Sequence, residues 1–203
     1  MKKGWLAALG CLGILVLGAV VVLLAVRGTY NDIVAQDQEV SAKWAQVQNV
    51  YQRRADLVPN LVATVKGYAA HERDVLETVT ASRAQVGSVQ VTKDTLSNPA
   101  EFQKFQQAQS GLTNALSRLL LVVEKYPDLK ANQNFLELQS QLEGTENRIT
   151  VERMRFNESA QRYNTRIKQF PAVLVARFFG FGEKQYFQAT VGSEKAPTVD
   201  FSR

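Results

Sequence analysis

Residues 29–68 read TYNDIVAQDQEVSAKWAQVQNVYQRRADLVPNLVATVKGY, and their spacing decides the fold. Alternating steps of three and four from Tyr30 visit Ile33, Asp37, Val40, Trp44, Val47, Tyr51, Arg54, Val58, Leu61, Val65 and Tyr68. The same steps continue through Glu72, Val75, Val79 and Ser82 to Val86, and thirteen of the seventeen positions are apolar. Such a stripe belongs to a helix that packs on other helices, and its seven-residue repeat favours left-handed packing. Pro59 falls inside it. A proline removes one backbone bond and bends a helix, but the phase is unbroken on both sides, so the spacing predicts a single kinked helix from Tyr30 to Val86.

Downstream, Gly87 to Asn98 has no apolar period and reads as a connection. Asn98-Pro99-Ala100-Glu101 is a helix start, with a capping side chain, proline in the first turn and glutamate three residues after the cap. The second stripe is Phe102, Phe105, Gln109, Leu112, Leu116, Leu119 and Val123, six of seven apolar, and this helix is expected to end near Lys125 or Tyr126, ahead of Pro127. Asn132 is placed to cap a third helix carrying Phe135, Leu142, Ile149, Phe156, Tyr163 and Phe170 at steps of seven, stopped by Pro171. The segment Val173 to Phe181, VLVARFFGF, is too short to cross a bilayer and reads as a short helix packed on the bundle, with a membrane surface as the alternative. No strand has a partner. The expected fold is therefore all-α: an N-terminal transmembrane helix, then a long antiparallel bundle of three long helices and a short C-terminal one.

Those helices are unequal. Tyr30 to Val86 as one helix is about 85 Å, the second about 40 Å and the third about 58 Å. Either the first helix bends or part of its stripe, around Trp44 and Val47, meets another copy of the chain. Trp44 and Val47 are the candidate self-association residues on this argument.

Upstream, Trp5 to Val26 is 22 residues without a charge, about 33 Å of helix, enough for a hydrocarbon core of about 30 Å. It is too long for the apolar part of a signal peptide, and Ala8-Leu9-Gly10 before Cys11 is a poor lipoprotein signal. Residues 5–26 are thus expected to hold the chain in a lipid bilayer, with 1–4 as a short tail, 30–189 as the bundle and 190–203 as a flexible tail. Lys2 and Lys3 precede the span and Arg27 follows it, which favours a cytoplasmic N-terminus and an extracytoplasmic bundle.

Composition limits the chemistry. The chain has 203 residues, one cysteine and one histidine, too few for a disulfide or a zinc site. Its net charge is +5, but without Lys2, Lys3 and Arg27 the balance is 21 basic against 19 acidic residues, and a nucleic-acid partner is not expected. His71 lies on an expected exposed face, Cys11 is in the span, and no glycine-rich phosphate loop occurs. The segment Arg148 to Arg177 has seven basic and two acidic residues and reads as a solvated face with paired charges.

Three strings stand out: QRRADLVPNLV, YPDLKAN and LEGTENRI, in that order after one N-terminal span. Together with their surroundings, from Tyr30 to about Ala189, they resemble the LemA family of bacterial membrane proteins. The resemblance implies a single-pass anchor and a long antiparallel helical bundle, and the anchor is expected in the bacterial cytoplasmic membrane. The resemblance does not imply an enzyme, because that family has no established catalytic activity or cofactor.

The strings supply a polar network: Arg53, Arg54, Asp56, Pro59 and Asn60 from the first, Asp128, Lys130 and Asn132 from the second, and Glu143, Glu146, Asn147 and Arg148 from the third. Arg54 stands on the apolar stripe, so it is expected to be partly buried against a carboxylate. If the second helix descends beside the first, the YPDLKAN turn comes near QRRADLVPN. Such a network fixes helix ends and bundle register, or else forms a surface for a partner protein. The expected function is a membrane-anchored, self-associating helical scaffold of the bacterial envelope, a homo-oligomer that meets other membrane or envelope proteins and has no catalytic, cofactor or metal site. The alternative is an extracytoplasmic sensor or ligand-binding bundle; with only Met1 to Gly4 before the span, it needs a membrane partner.

Overall fold

The computed structural model describes residues 2–89, 92 and 94–188, so the expected tail 190–203 lies outside it. All its regular elements are helical, as the spacing predicts. Helix α1 runs from Lys2 to Tyr68 without a break, through the apolar span and into the bundle. It is the one helix among the described residues long and apolar enough to cross a membrane. At 1.5 Å per residue its 67 residues extend about 100 Å.

The helix expected to reach Val86 stops at Tyr68. The chain reverses through Ala69–Glu72 and returns as α2, Arg73–Ser88. The apolar phase continues across the break only because both helices carry a similar stripe. Reversal lets Leu76 and Val79 join Leu112, Leu116 and Leu119, contacts that a straight helix would leave in water. The unequal lengths are thus resolved inside one chain.

Pro59 sits within α1 and leaves the Ala55 carbonyl without its usual amide. The Arg83 Nε of α2 donates to that carbonyl at 2.9 Å, so the returning helix repairs the defect.

After a single 3₁₀ turn at Asp94–Leu96, α3 spans Pro99–Val123, with the Asn98 side chain accepting from the amides of Ala100 and Glu101. A one-turn α4, Pro127–Lys130, leads to α5, Gln133–Lys168, whose first turn is capped by Asn132 on the Phe135 amide. Both caps stand where the sequence places them. Because α2 supplies the descent, α3 ascends parallel to α1 and α5 descends beside α1 for its whole length. Helix α6, Ala172–Phe179, then folds against α1 and α5 near the point where α1 leaves the span.

The interior divides into two clusters. The distal one joins Val58, Leu61 and Val65 of α1 to aliphatic residues of α2, α3 and α5. The membrane-proximal one is aromatic: Trp44 packs against Phe102, Phe105, Phe156 and Phe187 with ring centroids 5.1–5.9 Å apart. Trp44 is 6% exposed and Val47 fully buried. Their expected role at a contact between copies is corrected on this ground: the chain's own α3, α5 and C-terminal segment occupy the face that a second copy would need.

Candidate functional site

Arg54 sits between the two clusters. It is 1% exposed, and from α1 its guanidinium reaches two other helices. Nη1 donates to the Thr113 hydroxyl of α3 at 2.8 Å and to Glu146 of α5 at 2.9 Å. Nη2 donates to the side chain and the backbone carbonyl of Gln109, at 2.5 and 3.3 Å. Its guanidinium carbon also stands 5.0 Å from the Tyr51 ring centre. Nε alone has no partner. Burying a cation requires a counter-charge and hydrogen-bond partners, and α3 and α5 supply them to Nη1 and Nη2 only when both are aligned with α1 at this level. Burial also holds the Tyr51 phenol above its ordinary pKa, so it stays neutral beside the cation.

An open cleft of about 590 Å³ adjoins this layer, lined among others by Arg54, Gln107, Asn114, Glu146, Thr150 and Arg153. Both of its cations are engaged within the chain. Arg153 lies 4.6 Å from the Phe187 ring centre and donates to the Gln188 carbonyl.

The other network residues scatter. Arg53, Asp56, Pro59, Asn60, Glu143, Asn147, Arg148 and Asp128 are all exposed. Asp56 accepts from Gln52 and Glu143 from Gln139, each pair one turn apart on its own helix. The YPDLKAN turn does not approach QRRADLVPN; it lies at the distal tip, where Asn132 donates to the Tyr68 hydroxyl and Tyr126 donates to Glu72. The expectation assumed a descending second helix, and α2 takes that role. Gln109 and Thr113 were missing from the expected network. Gln109 had a signal, since it is the one polar position on the second stripe; Thr113 had none.

The sequence also gave no sign of the C-terminal strap. Residues 181–188 run without regular structure across α5, held by two asparagines seven residues apart. The Asn164 amide accepts from the Lys184 backbone N–H and donates to its carbonyl, both at 2.8 Å. Asn157 does the same with Phe187 at 2.9 Å, which places the Phe187 ring in the aromatic cluster. Lys184 adds an ion pair to Asp37 at 2.8 Å. The basic face of α5 is largely paired: Arg155 with Glu152, Arg162 with Glu39, Arg166 with Asp32 and Lys168 with Glu183.

Relatives among known proteins align with most of the chain. Magnetosome protein MamQ 1 of Paramagnetospirillum magneticum is 28% identical over 93% of this chain and 74% of its own length. Magnetosome protein MamQ of Magnetospirillum gryphiswaldense is 28% identical over 92% of this chain and 74% of its own. Protein LemA of Metamycoplasma hominis is 23% identical over 80% and 70%. The LemA family model matches residues 43–201, which takes in the Arg54 layer, the aromatic cluster, the strap and α6. The chain belongs to the LemA family.

Proposed function

We propose that this protein is a non-catalytic, self-associating scaffold of the bacterial cytoplasmic membrane, holding its bundle outside the cytoplasm as a platform for other envelope proteins. The observation that carries this reading is α1 itself: one helix is both the apolar span and the central support of the bundle. A shared helix transmits position and orientation from the membrane to the bundle surface, as a platform requires. The Arg54 layer supports the same reading, because its polar groups are spent on holding three helices in register. The exposed residues of the three strings, Arg53, Asp56, Asn60, Asn147 and Arg148 among them, are left as partner-facing surface.

Self-association is tested by the mass of the full-length protein in mild detergent, from light scattering with the detergent subtracted. A discrete multiple of 22.6 kDa is expected. A monomer at all concentrations overturns the self-associating part.

The cleft beside Arg54 favours a second reading, a ligand-binding bundle that acts through a membrane partner. Native mass spectrometry of the purified chain separates the two. A stoichiometric bound small molecule supports the ligand-binding reading; its absence, with co-purifying envelope proteins, supports the scaffold.

A further inference from the structure

We propose that α6 is a second membrane contact, lying in the bilayer interface with Phe170, Leu174 and Phe178 inserted among lipid headgroups and upper acyl chains. The proposal rests on the assignment of residues 5–26 as the membrane span.

Placement is the first argument. The Phe179 ring centre is 4.7 Å from that of Tyr30 and the Phe181 ring centre is 5.7 Å from it. Tyr30 is four residues past Val26, about 6 Å along the helix axis. A headgroup layer is roughly 5–8 Å deep on each side of the hydrocarbon core, so Tyr30 and the rings against it lie at headgroup level.

The two faces of α6 are the second argument. Ala172, Val175 and Ala176 are buried against the bundle. The opposite face carries Leu174 and Phe178 at i and i+4, exposed by 59% and 82%, and Phe170, in the turn before the helix, is exposed by 80%. Among the other exposed apolar side chains described beyond the span, Leu121 and Leu136 stand on α3 and α5, and Met154 is one turn from Val151 and lines a shallow cleft with Tyr186. Phe170 and Phe178, just before and on α6, are more exposed than any of these. Patches of that kind mark membrane or protein contacts, and this one adjoins the membrane anchor.

Local structure and charge fit the same surface. At the end of α6, Gly180 adopts a left-handed conformation (φ 76°), which lets the Phe181 amide donate to the Ala176 carbonyl and turns the chain back onto Tyr30. Arg177, on α6, and Arg27, just past the span, are exposed at this level and suit anionic headgroups.

The test uses the full chain in vesicles of phosphatidylcholine with a minority of phosphatidylglycerol. Cys11→Ser removes the native thiol, and a nitroxide is attached in turn at Phe178→Cys, Leu17→Cys and Leu136→Cys, each checked for unchanged helicity. The expected result is that the labels at 17 and 178 collide more with oxygen than with a water-soluble nickel chelate, while the label at 136 shows the reverse. A label at 178 as open to nickel as that at 136, with 17 in the apolar phase, overturns the contact and leaves the span standing. A label at 17 open to nickel overturns the span, and the proposal with it.

Discussion

The two halves of the bundle are built differently. In the distal half, α1, α2, α3 and α5 all contribute, and Val and Leu at heptad spacing fill the interior. In the proximal half α2 has ended, so of the long helices α1, α3 and α5 remain, joined by the short α6 at the membrane end, and wide aromatic rings with Phe187 from the strap fill the space. Arg54 and its partners mark the boundary. A four-helix interior can be closed by regular repeats, whereas a three-helix interior beside the membrane needs larger side chains and an irregular segment.

The sharpest way to break this comparison is at Trp44. The double variant Trp44→Glu, Val47→Glu places two charges in the proximal core, and the chain is expected to lose helicity, with cooperative melting of that half. A variant of wild-type helicity that only changes oligomeric state would return Trp44 to an interface between copies. Glu146→Ala strikes the boundary. It strips a counter-ion from a buried guanidinium, and the expected loss is about 3 kcal/mol by urea unfolding, at the low end because Glu146 itself is 38% exposed. Arg54→Met in the Glu146→Ala background is expected to recover part of that loss.

Smaller effects sharpen the contrast. Arg83→Met leaves the Ala55 carbonyl unpaired and is expected to cost about 1–2 kcal/mol in the distal half. Combined with Pro59→Ala, which restores a backbone amide, it is expected to cost less, so a double-mutant cycle reads the coupling. The smallest effect belongs to the proximal end. Hydrogen bonding from Gln36 and then Arg166, against an opposing effect of burial, holds the Asp32 carboxyl below its ordinary value of 3.8. A lowered folded-state pKa means that this contribution is present above about pH 4 and is lost as pH falls through the folded value. Asp32→Asn is expected to flatten the acid limb of the stability curve slightly, and an unchanged limb would show that the pair contributes nothing.

Most of the fold was legible because helical periodicity and caps are local signals. The stripe from Tyr30 to Tyr68, the cap at Asn98 and the cap at Asn132 all report through neighbours in sequence. The break at Ala69–Glu72 was not legible, since apolar residues of α2 fall by chance in phase with α1 and the turn itself holds neither proline nor glycine, the nearest glycine, Gly67, lying inside the last turn of α1. That missed break reversed the direction of α3 and misplaced the YPDLKAN turn. At the candidate site, Arg54 and Gln109 were visible as polar residues on apolar stripes. Their meeting with Thr113 and Glu146 depends on helix order, which no local pattern carries. The strap was hidden for another reason: Asn157 and Asn164 bond to backbone, which looks the same at any sequence.

The claim on which the scaffold rests is that the span and the bundle share one uninterrupted helix. Hydrogen exchange on the full chain in lipid vesicles tests it most directly at the amides of residues 27–33, between the span and the first buried turns. The account predicts protection there comparable to that of residues 47–54. Fast exchange confined to 27–33 would show a flexible joint instead, and a bundle free to swivel on its anchor would contradict the account.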